Sequence, residues 1–262
     1  MKKLLVLSCA LLVLSASIAA AQGINLAWRN CIAVTAGTTA ALANVNYACD
    51  GTGLANANQG RGVMSFISPA AINQFVGMQA VLDIQTDQPV LPDYWRLGVG
   101  ECREGSFVFP ASLTGVGNTT TCRNPWAGGS TGGGFQYNSG FESPARARVQ
   151  FAFARDTEVA LLNGQQYIAG VFTLDTFKDF DDGTIGTGQC DGCLSPGCLV
   201  LNQVELFQVA GQTPPQQDIY ILNTQATRRY VTWQGGAIPG SGCPGGTPTK
   251  NATWGSVKSL YR

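Results

Sequence analysis

The sequence predicts an all-β chain, a two-sheet β-sandwich of Ig-like or jelly-roll type, stapled by disulfides and closed by a short C-terminal helix. Three observations predict it. Apolar and polar residues alternate with period two in segment after segment, and turn signals rich in Gly, Pro and Asn separate those segments. Eight cysteines also remain once an N-terminal leader is set aside. No long helical period and no repeat of fixed length competes with this pattern.

The leader comes first. Met1-Lys2-Lys3 supplies positive charge, Leu4 to Leu14 an apolar run, and Ser15 to Ala21 a small-residue cleavage region. The apolar run is too short to cross about 30 Å of hydrocarbon, so 1–21 reads as a signal peptide and not as an anchor. The run continues past Cys9, which argues against lipidation there. Cleavage after Ala21 leaves residues 22–262 as one sandwich domain. With Lys2 and Lys3 gone, 14 basic residues face 16 acidic ones, a net charge of −2. That balance gives no broad positive field for nucleic acid.

Strands are expected at Ile24–Arg29, Val63–Ile67, Gln79–Thr86, Ser106–Phe109, Arg146–Arg155, Leu199–Val209, Asp218–Leu222 and Arg229–Gln234. In Gln79–Thr86, Ala80, Leu82 and Ile84 share an inner face while Val81, Asp83 and Gln85 take the outer one. Arg146–Arg155 divides in the same way, with Ala147, Val149, Phe151 and Phe153 inward and Arg146, Arg148 and Gln150 on an exposed outer face. Asn163-Gly164 predicts a hairpin between Glu158–Leu162 and Gln166–Asp175. Apolar spacing of three and four residues predicts a short helix over Pro69–Val76, and Pro92–Leu97 predicts a turn of helix. Thr253 caps a terminal turn carrying Trp254, Val257 and Tyr261. The glycine-rich stretch Ala127–Gly140 is expected as a surface loop. Its glycines match no phosphate-binding fingerprint.

The cysteines Cys31, Cys49, Cys102, Cys122, Cys190, Cys193, Cys198 and Cys243 are even in number, and export favours four disulfides. Proximity in sequence points to Cys31–Cys49, Cys102–Cys122, Cys193–Cys198 and Cys190–Cys243. Each of the first two would close a loop of about 20 residues, worth about 3 kcal/mol. A four-thiolate zinc site in the last cluster is the rival, but only one Cys-x-x-Cys elbow is present. No βαβ pattern surrounds that elbow, so a redox-active motif is disfavoured.

Histidine is absent from the whole chain. Its absence removes the commonest general base and the commonest metal ligand, so the chain is read as no enzyme. Mature lysines are Lys178, Lys250 and Lys258, and none sits in a Ser-x-x-Lys pattern. Glu101, Glu104, Glu142, Glu158 and Glu205 are read as surface groups, since no motif pairs them for glycoside hydrolysis. Asp179, Asp181 and Asp182 lie in an acidic turn ahead of the cysteine cluster. They are the ligands to test should calcium bind, but Lys178 and Phe180 spoil the register of a calcium loop, and a solvated turn is preferred. No other cofactor is implied. Trp28 and Trp233 are expected to fill the core, whereas Trp95, Trp126, Phe135 and Tyr137, in turn-like context, are candidates for a contact surface.

Four segments look like a group of uncharacterised secreted bacterial proteins. They are Gly23-Ile24-Asn25-Leu26-Ala27-Trp28, Gly186-Thr187-Gly188-Gln189-Cys190-Asp191-Gly192-Cys193, Thr232-Trp233-Gln234-Gly235-Gly236 and Trp254-Gly255-Ser256-Val257-Lys258-Ser259-Leu260-Tyr261-Arg262. The resemblance implies bacterial export and a shared scaffold, and carries no function. The strand pattern also resembles the sandwiches of cohesins and carbohydrate-binding modules, at the level of fold alone. The expectation is therefore a secreted, extracellular or cell-surface structural or adhesive protein, with the periplasm as a further location. It would contact its own copies, other surface proteins or polysaccharide, with no nucleic-acid partner and no membrane span. A carbohydrate-binding module is the alternative, and a carboxylate-based glycoside hydrolase comes after it.

Overall fold

The computed structural model describes residues 23–32, 40–51, 60–110, 121–176, 178–179, 190–209, 219–222 and 229–235. The expected leader, the Thr253 turn, Asp181, Asp182 and Cys243 lie outside them. The strands are β1 (Gly23–Trp28), β2 (Asn44–Val45), β3 (Arg61–Ile67), β4 (Ile72–Thr86), β5 (Phe107–Val108) and β6 (Thr131–Ser139), followed by β7 (Arg146–Leu161), β8 (Gln166–Leu174), β9 (Gly197–Gln208), β10 (Ile219–Leu222) and β11 (Tyr230–Trp233). A single helical turn, α1 (Ala40–Ala43), precedes β2, and a 3-10 turn spans Asp93–Trp95.

These strands form two sheets packed face to face, an all-β sandwich. The smaller has the order β1-β3-β8-β5, and the larger β2-β11-β9-β4-β7-β6, with β10 also paired to β9. Period two builds the interior of the larger sheet. Met78, Ala80, Leu82 and Ile84 of β4 stand opposite Phe153, Phe151, Val149 and Ala147 of β7, and all eight are buried. From the smaller sheet, Ile24, Leu26 and Trp28 of β1 and Met64 and Phe66 of β3 complete the core. Trp28 and Trp233 are buried in it as expected, their rings 6.4 Å apart edge to face.

Glycine makes room where rings cross between strands. Gly62 faces Phe172, and a Cβ on residue 62 would lie 2.1 Å from Phe172 Cζ. Gly62→Ala is therefore expected to cost about 1–3 kcal/mol by overpacking. Gly134→Ala, which meets open space, should change stability by less than about 0.5 kcal/mol. Equal melting temperatures for the two variants would contradict this packing.

Several expectations need correction. Pro69–Val76 is no helix, because β4 begins at Ile72. Register shifts between Ile72 and Phe75 and between Phe75 and Gly77 insert extra residues, so Ile72 and Phe75 are both buried at a spacing that imitates a helix. Asn163-Gly164 does turn the chain, with Gly164 at φ 72°, but it joins no hairpin. β7 and β8 belong to different sheets, so the turn is a corner, held by the Gly164 N–H donating to Ser68 O at 2.9 Å. Residues 131–139 of the expected glycine loop are strand β6, paired in unbroken register with β7.

The outer face of the larger sheet is also not the open polar surface expected. Asp83 and Gln85 are buried, as is Arg148. Asp83 and Arg148 are direct cross-strand partners, so their side chains meet. Arg148 Nε donates to Asp83 Oδ1 at 2.6 Å and its terminal nitrogen to Oδ2 at 2.8 Å, while Asn202 Nδ2 donates to the same Oδ2 at 2.8 Å. The Phe141 ring lies 3.8 Å from the guanidinium carbon.

The disulfides are long-range. Cys31–Cys122, Cys49–Cys193 and Cys102–Cys190 span 91, 144 and 88 residues. The expected pairs Cys31–Cys49, Cys102–Cys122, Cys193–Cys198 and Cys190–Cys243 are thereby overturned. The reason is topological, since cysteines close in sequence sit on segments that the sandwich sends to different places. Cys198 is disulfide-bonded too. Disulfides persist in oxidising compartments, so this chain belongs outside a reducing cytosol. No helix among the described residues is long and apolar enough to cross a membrane.

Candidate functional site

The site lies where the two sheets end on the same side, the smaller at β5 and the larger at β6. Phe107 of β5 and Phe135 of β6 meet there edge to face at 5.2 Å. Beside them opens a groove of about 600 Å³, with residues 97–105 as one wall and Phe135 to Ser139 as the other.

The 97–105 wall is built rigidly. Arg103 is fully buried beneath it, donating to Tyr94 O at 3.2 Å and to Asp175 O at 2.5 Å, with its guanidinium carbon 3.8 Å from the Tyr94 ring centre. Cys102–Cys190 fixes the neighbouring residue to a distant segment. Glu101, on the groove side, accepts from the Gly98 N–H at 2.7 Å and from the Ser139 hydroxyl, and pairs with Arg96 at 3.6 Å. Glu104 accepts from the Gly100 N–H at 2.9 Å. Both acids thus stand on one wall, Glu104 bracing its own loop and Glu101 tying that loop to Ser139 of β6. The β6 wall carries Phe135, Gln136, Tyr137, Asn138 and Ser139 and no acid, so the groove lacks carboxylates facing each other across it.

Tyr137 ties the two walls together, its hydroxyl donating to Trp95 O. Burial, reinforced by the Glu101 charge, holds the Tyr137 phenol well above its ordinary pKa. Burial likewise pushes Tyr94 up to about 12, against a lowering pull from Arg103. A phenol that keeps its proton longer when folded stabilises the fold fully below about pH 10. That stabilisation is lost as pH rises from there toward 12. The urea midpoint should hold steady between pH 7 and 9 and fall steeply above 10. A midpoint unchanged at pH 11 would contradict it.

Of the four aromatics expected at a contact surface, the structure leaves two near it. Phe135 retains 36% of its exposure and Tyr137 is half-buried in the groove wall. Trp95 and Trp126 are instead fully buried. Trp126 plugs the gap between sheets against Phe75 and Phe153, and its indole N–H donates to Ile168 O at 3.1 Å. Trp95 packs on Tyr94 and Trp233 and over Gly197, whose missing side chain admits the ring. Turn-like sequence brought both indoles inward because the turns fold over the open ends of the sandwich. Glu205, read as a surface acid, is also buried. Arg103 escaped sequence reasoning, as nothing in Cys102-Arg103-Glu104 separates it from a surface charge.

Asp179, the one candidate calcium ligand among the described residues, is buried and accepts from the Tyr47 hydroxyl. Burial together with that carboxylate raises the Tyr47 pKa. No group of three or more Cys, Asp or Glu side chains among the described residues is placed to hold a metal ion.

The most open element of this region is β6 itself. It bears no charged residue, no proline and no bulge, and Gly132, Gly133, Gly134, Phe135, Gln136 and Asn138 are exposed. Natural edge strands are commonly blunted by one of those devices, and β6 has none of the three. Comparison of the chain with protein-family models, with curated proteins and with solved structures finds no match.

Proposed function

We propose that this chain is an exported, non-catalytic β-sandwich that acts by surface contact, as a structural subunit of an extracellular or cell-surface assembly or as an adhesive module. The observation that carries the reading is β6, a nine-residue uncharged edge strand on a rigid frame, where among the described residues nothing bonds to the outer side of the main chain at Gly133, Phe135 or Tyr137. The disulfides and the absence of histidine support it, as does the engagement of Glu101 and Glu104 in structural hydrogen bonds. Protein purified from culture fluid or cell surface, sized without reductant and viewed by electron microscopy, should show species larger than one chain. A uniformly monomeric product overturns the assembly reading.

A polysaccharide-binding module is the second reading, favoured by the groove in which Phe135 stands beside Gln136 and Asn138. It requires retention on a polysaccharide matrix, weakened at least about tenfold by Phe135→Ala, the loss of one stacked ring. Passage through a panel of such matrices without delay removes it.

A further inference from the structure

We propose that two copies of this chain join edge to edge through β6, antiparallel about a two-fold axis at Phe135, so that the two larger sheets become one continuous sheet. This deepens the assembly reading and rests on it.

The backbone sets the parity. Gly140 N–H donates to Arg146 O at 2.7 Å and Asp156 N–H donates to Ser130 O at 3.1 Å, so the even-numbered residues of this strand exchange hydrogen bonds with β7. Odd-numbered residues then direct their N–H and C=O to the open side. Among the described residues nothing bonds to the main chain of Gly133, Phe135 or Tyr137 there. A two-fold axis at Phe135 places odd opposite odd, Phe135 facing Phe135 and Gly133 facing Tyr137. Outward donors therefore meet outward acceptors.

The side chains fit the same register. Thr131-Gly132-Gly133-Gly134-Phe135-Gln136-Tyr137-Asn138-Ser139 has three glycines before its centre and three large residues after it. In the two-fold pair Gly132 faces Asn138, Gly133 faces Tyr137 and Gly134 faces Gln136. Asn138 and Gln136 are thus set against Gly132 and Gly134, where a Cβ would meet nothing within 4 Å, while the space over Gly133 is filled by Phe153 of its own sheet. A partner of unrelated sequence has no reason to supply that complement, so the structure favours a second copy as occupant.

Charge agrees. The strand is neutral, so two copies meet without repulsion along it. On the core-facing side, Glu101 holds the Ser139 end while Arg155 stands opposite Thr131 at the other. Two-fold pairing keeps like ends about 30 Å apart, the length of nine extended residues, and the Glu101 charge is balanced within its own copy by Arg96 at 3.6 Å. Asp156, on the opposite face, is already engaged by the Ser130 N–H at 3.0 Å. A contact one strand wide falls short of the about 800 Å² per partner of tight interfaces, so dissociation constants in the micromolar range are expected.

Sedimentation equilibrium of the mature, oxidised protein from about 1 μM to 1 mM tests the proposal, with Gly134→Lys as the variant. Residue 134 is exposed and a Cβ there meets nothing within 4 Å, so the variant should fold with an unchanged melting temperature in dilute solution. Wild type should pass from monomer to dimer, and Gly134→Lys should raise the dissociation constant by at least about tenfold by placing like charges on both paired edges. Association equal in both overturns edge pairing and leaves the assembly reading standing. Monomer throughout in the wild type overturns both, and open-ended growth overturns the two-fold closure. Phe135→Cys fixes the register, since Cα atoms of a bonded antiparallel pair lie about 5.5 Å apart, within disulfide reach. A dimer released by reductant is expected, and absence of cross-linking where wild type associates overturns the register.

Discussion

Replacing Cys49 and Cys193 together by alanine should lower the free energy of unfolding by about 5 kcal/mol, the largest effect expected among the three disulfides between described residues. The bridge closes 144 residues, and the entropy that a cross-link removes from the unfolded chain grows with the logarithm of loop length. It also ties the segment after β2 to Cys193, whose carbonyl accepts from the Trp233 indole at 2.7 Å, so its loss loosens the aromatic cluster of Tyr47, Tyr94, Trp95 and Trp233. Urea unfolding of the double variant, with the remaining bridges intact, reads the effect. A loss below about 2 kcal/mol would show that this pair is not the staple the structure makes it.

Asp83→Ala is expected to cost about 3–5 kcal/mol, because it strands the Arg148 guanidinium on a buried sheet face. The side chains retain 2% and 11% of their exposure, and Asn202 loses the same acceptor. The pair itself need not be a net stabiliser. Asp83→Leu with Arg148→Met should therefore recover most of the loss, since an apolar pair leaves no charge unmatched. Chemical denaturation of the single and double variants decides the matter. A single variant within about 1 kcal/mol of wild type would mean that water reaches this face freely.

The sandwich was legible because burial and strand period coincide in its central elements. Ala80, Leu82 and Ile84, or Val149 and Phe151, read as inward residues and are inward. Legibility failed where local pattern and tertiary pairing disagree. A bulge in β4 spaces Ile72 and Phe75 like a helix, and β6 hides as a loop because glycine weakens a strand that only the pairing with β7 can hold. Disulfide partners were illegible for a related reason. Sequence proximity favours Cys31 with Cys49, whereas the strand order carries those residues to Cys122 and Cys193.

At the candidate site the sequence singled out Phe135 and Tyr137, which do line the groove, along with Trp95 and Trp126, which do not. A tryptophan in a turn reads as exposed, yet the interior beneath these turns is open until an indole fills it. The self-complementary spacing of glycines around Phe135 was present in the sequence throughout. It acquires meaning only once β6 is a strand, is an edge, and has its odd residues turned outward.

Amide hydrogen exchange resolved residue by residue along β6, at dilute and at high protein concentration, tests the central claim most directly. In dilute solution Gly134, Gln136 and Asn138, bonded to β7, should exchange slowly while Gly133, Phe135 and Tyr137 exchange fast. At high concentration those odd amides should become protected as a second copy pairs with them. Odd amides that stay unprotected at every concentration, or a strand without the alternation, would contradict it.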